Sequence, residues 1–86
     1  MRVKLVSWNV NGIRAVLGRD GFAFLDDERP DVLCLQEVRA TPEQAAGAAP
    51  RGAVLPGFRH QLWYPAPRPG YSGTATFSRV EPLSVR

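Results

Sequence analysis

The sequence predicts an α/β fold that begins with a parallel β-α-β unit, and three observations support this prediction. Two short apolar runs, Val3–Val10 and Asp31–Glu37, each end in polar residues, as expected for strands that stop at a sheet edge. The segment 12–29 between them has apolar residues at roughly helical spacing. Beyond residue 57, strand-like runs follow one another closely, which favours a mixed or antiparallel continuation of the sheet.

The first run predicts a short buried strand. Its apolar side chains are Val3, Leu5, Val6, Trp8 and Val10. The run gives way to Asn9, Asn11 and Gly12, and we expect Gly12 to permit a sharp exit from the strand. Polar side chains at the carboxyl end of such a strand face the crevice where open α/β sheets usually bind ligands.

The segment from Gly12 to Arg29 predicts two short helical pieces, because Gly18 and Gly21 interrupt its apolar spacing. Pro30 is expected to end the second piece. A strand, a helical crossover and a second strand predict a right-handed connection between parallel neighbours.

The second strand ends in Gln36 and Glu37. If the two strands are parallel neighbours, Asn9 and Glu37 emerge at the same edge of the sheet. An amide oxygen and a carboxylate are hard ligands that suit Mg²⁺ or Mn²⁺, held together with water and substrate phosphate.

The composition shifts to Ala, Gly and Pro between Arg39 and Gly57, which predicts a surface connector. Within it, Thr41 as N-cap and Pro42 at the first helical position predict a short helix through Ala49. We expect Pro50 and Gly52 to stop that helix.

Three further strands are predicted in the last part of the chain. One is Phe58–Tyr64, which the Pro-rich segment 65–69 breaks. A turn and a strand follow at Gly70–Arg79, and a final strand begins near Leu83.

Length, composition and charge limit the classes of protein to which this chain can belong. The chain has 86 residues, 44% of them hydrophobic, which suits one small globular domain. Its net charge is +3 and ten of its eleven basic residues are arginine, which is compatible with phosphate contact or with an ordinary solvated surface. The lone Cys34 cannot form an internal disulfide, and no apolar run reaches signal-peptide or membrane-spanning length. We therefore expect a cytoplasmic protein with no membrane partner.

Three segments carry a resemblance to a known family: Ser7–Arg14 (SWNVNGIR), Pro30–Glu37 (PDVLCLQE) and Gly70–Arg79 (GYSGTATFSR). In this order and spacing they resemble the amino-terminal part of the exodeoxyribonuclease III and apurinic/apyrimidinic endonuclease family. That family belongs to the endonuclease/exonuclease/phosphatase superfamily, whose fold is a deoxyribonuclease I-like four-layer α/β sandwich. The resemblance implies that residues 1–86 form the amino-terminal part of this domain, with the carboxy-terminal part absent.

The resemblance also implies roles at the strand ends. Glu37 is expected to be the metal-binding carboxylate, and Asn9 a catalytic amide that binds the metal or orients the phosphate. Asn11 is expected to support these ligands or to add one. From the residues alone, Glu37 could instead cap a turn, and Asn9 could end its strand in an Asx-turn.

The resemblance also implies contacts with DNA. Arg14 corresponds to a residue that contacts the backbone, and Arg39 is a weaker candidate of the same kind. Gly70 and Tyr71, with Ser72, resemble a loop that presses on the backbone near the minor groove. The alternatives are an exposed helix arginine for Arg14 and a plain turn with a half-buried Tyr71 for the loop.

His60 is the only histidine, but it does not fall in the family's catalytic motif, and we expect it not to be catalytic. The larger aromatic residues are expected in the core rather than stacked on bases; they are Trp8, Phe22, Phe24 and Trp63.

The function implied by the resemblance is that of a Mg²⁺-dependent DNA repair nuclease, with Mn²⁺ as an alternative metal. Such an enzyme nicks double-stranded DNA at abasic sites and removes nucleotides from 3′ ends, and we expect it to be a monomer. The family's water-activating motifs have no match in residues 1–86. The alternatives are an inactive or non-catalytic DNA-binding fragment, and a superfamily phosphatase acting on small phosphoesters.

Overall fold

The structure is a computed structural model that describes residues 2–67 and 72–80. Its elements in chain order are β1 (Leu5–Asn9), α1 (Ile13–Gly18), α2 (Leu25–Glu28), β2 (Val32–Gln36), α3 (Pro42–Ala48), β3 (His60–Tyr64) and β4 (Thr74–Ser78). A single 3₁₀ turn spans Pro50–Gly52. The α/β class and the predicted order of elements are confirmed, while the strand predicted near Leu83 lies outside the described residues.

The four strands form one mixed sheet in the order β1-β2-β4-β3. β1 and β2 are parallel, with Asn9 opposite Gln36, which confirms the predicted β-α-β unit. β4 lies between β2 and β3 and is antiparallel to both. The end of the sheet where β1, β2 and β3 finish and β4 begins is called the site end. The opposite end, where β1, β2 and β3 begin and β4 finishes, is called the far end.

One face of the sheet packs against the helices to form the core. The fully buried side chains come from both layers: Ile13 and Val16 of α1, Leu33 and Leu35 of β2, Ala45 of α3, and Ala75 and Phe77 of β4. Trp8, Phe24 and Trp63 are half-buried against this cluster and Phe22 is buried, so the aromatic residues expected in the core do pack there. Trp8 meets Phe22 and Phe24 edge to face, with 5.5 Å between ring centroids in each pair.

The prediction that β1 is buried was wrong for one of its faces. Leu5 is 62% exposed, and the strand alternates between exposed and half-buried residues. The physical reason is that Leu5, Ser7 and Asn9 point away from the helices, to a face that no other layer of the described structure covers. The place of β1 at the edge of the sheet increases this exposure. An unbroken apolar run does not by itself show whether both faces of a strand are covered.

The two short helical pieces between β1 and β2 are confirmed as α1 and α2. The chain leaves α2 at Arg29, which has a left-handed backbone with φ 46°, and Pro30 follows as a buried residue. Left-handed residues are common at helix ends because they satisfy the last carbonyl groups.

α3 begins as predicted, with Thr41 as N-cap and Pro42 in the first turn. The Thr41 hydroxyl accepts a hydrogen bond from the Gln44 N–H at 3.1 Å, and the Gln44 side chain accepts from the Thr41 N–H at 3.0 Å. The helix ends at Ala48, one residue earlier than expected. Ala45 is fully buried and α3 packs on α1, so this segment is part of the core and not only the surface connector that its composition suggested.

The far end of the sheet is tied together by side chains. The Arg79 guanidinium donates to the carbonyl oxygens of Pro30 at 3.0 Å and Gly57 at 3.2 Å, and it lies 4.5 Å from the centre of the Phe58 ring. Lys4 forms an ion pair with Glu28 at 2.6 Å. Among the residues described, no helix has the length and apolar character needed to cross a membrane.

Candidate functional site

The parallel pairing of β1 and β2 brings Asn9 and Glu37 together at the site end of the sheet. Asn9 is the last residue of β1, and Glu37 follows Gln36 at the end of β2. The Asn9 side-chain nitrogen Nδ2 donates a hydrogen bond to the Glu37 carboxylate oxygen Oε2. The expectation that these two side chains emerge at the same edge is confirmed.

The orientation of the Asn9 amide is fixed by the turn that follows it. Its oxygen Oδ1 accepts a hydrogen bond from the Asn11 N–H at 3.0 Å, an Asx-turn in which Asn11 has φ 48°. Because this N–H requires an acceptor, the amide oxygen faces the turn and the nitrogen faces Glu37. Asn9 therefore forms the Asx-turn and the hydrogen bond to the carboxylate at the same time, and the turn orients its Nδ2 toward Glu37.

Arg39 holds the other oxygen of the same carboxylate. Its Nη2 lies 2.8 Å from Glu37 Oε1, and both side chains are about 40% exposed, at 42% for Arg39 and 38% for Glu37. This ion pair was not predicted from the sequence. The available signal was an acidic and a basic residue two apart, but that spacing only brings side chains together if the backbone keeps both on one side.

Asn9 and Arg39 together keep Glu37 ionised. The hydrogen bond from Asn9, followed by the hydrogen bond and the positive charge of Arg39, holds the pKa of the Glu37 carboxyl below its usual value of 4.5. A carboxylate that is charged and accessible to solvent at neutral pH is the form that binds a metal ion.

The backbone around Glu37 has an unusual conformation, which hydrogen bonds from neighbouring loops stabilise. Glu37 and Arg39 both lie in the left-handed region, with φ 51° and 56°, while the Val38 side chain between them is buried. Such conformations cost about 1–3 kcal/mol each for non-glycine residues. They persist here because neighbouring loops bind the segment on both sides.

On one side, Gly12 and Ile13 donate their N–H groups to the carbonyl oxygens of Glu37 at 2.8 Å and Val38 at 2.9 Å. Gly12 has φ 98°, which confirms that the exit from β1 needs a glycine. On the other side, the N–H groups of Val38 and Arg39 reach the carbonyl oxygens of Gly73 at 3.0 Å and Ser72 at 2.9 Å.

The residues implied to contact DNA lie around this carboxylate where they are described. Arg14 is exposed in the first turn of α1, and its Nη2 lies 3.4 Å from the Arg39 carbonyl oxygen. Ser72 is joined to Arg39 through the backbone. Gly70 and Tyr71 lie outside the described residues, so their role stays a prediction.

His60 lies at the far end of the sheet, opposite Ser78, whereas Tyr64 and Thr74 lie at the site end. Four residues of extended strand separate it from the site end, a distance of about 13 Å. That His60 is not catalytic stays a prediction.

The donor set fits one hard divalent cation. Within 2–67 and 72–80, no group of three or more His, Cys, Asp or Glu side chains is placed to hold a metal. Mg²⁺ is usually held by one or two carboxylates while water and substrate phosphate supply its other ligands, so the Glu37 carboxylate is a sufficient protein ligand. Asn9 would serve by positioning the carboxylate, or by binding directly after its amide leaves the turn.

Comparison with known proteins identifies the group to which this arrangement belongs. Residues 6–86 match the Endonuclease/Exonuclease/phosphatase family. The chain is 43% identical over 84 residues to the exodeoxyribonuclease of Bacillus subtilis and 39% identical over 84 residues to the DNA repair nuclease APEX1 of Danio rerio. In both cases 96% of this chain is covered, and the chain spans 31% and 26% of the two relatives.

Solved structures agree with the sequence matches. The AP endonuclease LMAP from Leishmania major superposes with a TM-score of 0.66 at 39% identity, over 88% of this chain and 23% of that one. NExo, a 3′ phosphatase from Neisseria bound to a product DNA hairpin, gives a TM-score of 0.66 at 29% identity, over 95% of this chain and 29% of that one. The recognition made from the three sequence segments is thereby confirmed: this chain is a member of the Endonuclease/Exonuclease/phosphatase family, similar to its exodeoxyribonucleases and AP endonucleases.

Proposed function

We propose that this chain supplies the metal-binding side of the active site of a DNA repair nuclease of the exodeoxyribonuclease III type. Its substrates would be double-stranded DNA with abasic sites or 3′ ends, and its cofactor Mg²⁺, with Mn²⁺ as an alternative. The observation that carries the proposal is the Glu37 carboxylate, exposed, ionised and held on both oxygens by Asn9 and Arg39. The similarity to nucleases and AP endonucleases supports the choice of substrate.

The bound metal would polarise the scissile phosphate and offset the negative charge that develops on it. Glu37 would hold this metal, and Asn9 would keep the carboxylate in place. Arg14 is exposed in the first turn of α1, next to the Arg39 carbonyl group, and would contact the DNA backbone through its planar guanidinium. The family's water-activating motifs have no match in residues 1–86, and we propose that the group that activates water is contributed from outside these residues.

The test is cleavage by the complete native gene product of a duplex with one abasic-site analogue, in Mg²⁺ and in EDTA. We expect Glu37→Gln to lower the Mg²⁺-dependent rate by about 100-fold or more, since a neutral amide is a poor metal ligand. Glu28→Gln is the matched control, because Glu28 is also exposed, also paired with a cation and also has a lowered pKa, but lies at the far end. We expect that control to cleave within about twofold of the unchanged protein.

The outcomes separate the alternatives. Metal-independent, strongly salt-dependent DNA binding without cleavage would support a non-catalytic DNA-binding protein. Preferential competition by small phosphoesters would support a phosphatase. Full cleavage by the Glu37→Gln protein would remove Glu37 from the role proposed here.

A further inference from the structure

The Glu37 carboxylate is already paired with a cationic side chain of the same protein, the guanidinium of Arg39. Arg39 Nη2 lies 2.8 Å from Oε1, and Asn9 donates to Oε2, so both carboxylate oxygens are engaged. A divalent metal at Glu37 would share the carboxylate with a guanidinium of the same sign of charge. Two cations on one carboxylate repel each other, so binding of one weakens the hold on the other.

Only the side chain of Arg39 is free to respond. Its N–H is bonded to Ser72 and its carbonyl oxygen is approached by Arg14, so its backbone is held on both sides. The side chain is 42% exposed. If the guanidinium leaves Glu37, it stays anchored at the mouth of the site, beside Arg14.

A guanidinium displaced in this way has a natural new partner. Its donors form a planar fork that matches the oxygens of a phosphate as well as it matches a carboxylate. A duplex lying across the site end presents phosphates along its backbone, so the charge removed from Glu37 can be neutralised by DNA.

We propose that Arg39 is an exchangeable counterion: it holds the Glu37 carboxylate while no metal is bound, and it moves to a DNA phosphate when a divalent cation takes its place. This proposal rests on the proposed function, because it takes Glu37 as the metal ligand. It adds that metal and DNA bind cooperatively and that Arg39 carries part of that cooperativity. Linkage requires the effect to be reciprocal: metal strengthens DNA binding by the factor by which DNA strengthens metal binding.

The first test measures Mn²⁺ binding to the complete native protein without DNA, from the electron paramagnetic resonance signal of free Mn²⁺. We expect Arg39→Met to bind Mn²⁺ about 2- to 5-fold more tightly, the range set by an exposed ion pair. Arg39→Gln, which keeps hydrogen-bond donors but loses the charge, should shift in the same direction. Arg59→Met is the matched control, because it removes one positive charge from an exposed arginine at the far end, and its Mn²⁺ affinity should not change.

The second test measures binding of a duplex with one abasic-site analogue, in EDTA and in Ca²⁺, with a gel to show that the duplex is still intact. The ratio of the two affinities reports how strongly metal assists DNA binding. We expect Arg39→Met to lower this ratio about 2- to 5-fold. Arg14→Met should weaken binding in both conditions and leave the ratio unchanged, because Arg14 contacts no carboxylate in the described structure.

Failure of this inference can be told apart from failure of the proposed function. If Glu37→Gln weakens Mn²⁺ binding but Arg39→Met leaves it unchanged or weaker, Arg39 is not a competitor and the inference is overturned while the metal site stands. If Glu37→Gln leaves Mn²⁺ binding unchanged, Glu37 is not the metal ligand and both proposals fall. Arg39→Lys should keep Mn²⁺ affinity near that of the unchanged protein, which a purely structural role for the guanidinium fork would not give.

Discussion

The two ends of the sheet use the same kinds of side chains for different purposes. At the far end, Arg79 donates to two backbone carbonyl oxygens and covers the Phe58 ring, so its charge joins segments that are far apart in sequence. At the site end, Arg39 contacts the carboxylate of a residue two positions away. The first arrangement stabilises the fold, whereas the second only holds a carboxylate in one orientation. Among the described residues, the Arg39 side chain donates to Glu37 and to no group distant in sequence.

The largest difference between the two ends should appear in stability. We expect Arg79→Met to lower the free energy of unfolding by about 1–2 kcal/mol, because two charged hydrogen bonds and the contact with the aromatic ring are lost. Arg39→Met should change it by less than about 1 kcal/mol, as expected for an exposed ion pair. Urea denaturation followed by circular dichroism measures both. An equal loss in the two variants would mean that the Arg39 contact is structural and would break the comparison.

A smaller difference is expected for a glycine from each end. Gly12→Ala should cost about 1–2 kcal/mol, because φ 98° is strained for any residue with a Cβ, even though the space around it is open. Gly57→Ala should cost less than about 0.5 kcal/mol, since a Cβ there would lie 3.4 Å from the Arg79 side chain, an ordinary contact with a flexible group. Thermal unfolding of both variants gives the comparison. A neutral Gly12→Ala would show that the exit from β1 does not need a glycine.

The smallest effects concern proton binding. Lys4 lowers the pKa of Glu28 below 4.5, and Asn9 with Arg39 does the same for Glu37. A carboxyl whose pKa is lower in the folded than in the unfolded protein stabilises the fold above its unfolded pKa, and this contribution is lost as the pH falls through the folded pKa. Both groups therefore contribute fully at neutral pH, and their contribution is lost progressively as the pH falls below about 4.5 and through each lower folded pKa.

Carboxyl NMR titration separates the two carboxylates. Lys4→Met should raise the pKa of Glu28 and leave that of Glu37 in place. Asn9→Ala should raise the pKa of Glu37, because the hydrogen bond from Asn9 is the largest cause of its shift. A Glu37 pKa that does not respond to Asn9→Ala would contradict the hydrogen bond from Asn9 to Glu37 described above.

The parts of this structure that follow from short-range rules could be predicted from sequence. The strand ends at Asn9 and Gln36, the N-cap at Thr41 and the helix stop before Pro50 each depend on a few neighbouring residues. The exposure of Leu5 could not be predicted in this way, because it depends on which face of the sheet the helices cover and on which strand lies at the edge. The same holds for the core position of Ala45, which depends on how α3 meets α1.

The candidate site likewise has a part that could be predicted from the sequence and a part that could not. Its residue types and their meeting at one edge follow from two apolar runs ending in polar residues. The contact between Glu37 and Arg39 could not be predicted from the sequence. It requires two residues with left-handed backbone conformations, which the loops at Gly12 and at Ser72–Gly73 hold in place. The sequence from Glu37 to Arg39 contains no glycine, the residue type that usually indicates a left-handed backbone conformation.

The pairing of β2 with β4 also has a consequence for the order of events during synthesis. Glu37 and Arg39 leave the ribosome early, but the carbonyl groups that bind the N–H groups of Val38 and Arg39 belong to Gly73 and Ser72, which are made more than thirty residues later. At about 5–20 residues per second, this delay is roughly 2–7 s. During that interval the β1–β2 pair has no partner for its inner edge. We therefore expect a nascent chain stopped before residue 72 to lack the observed arrangement of Glu37 and Arg39, which forms when β4 pairs with β2.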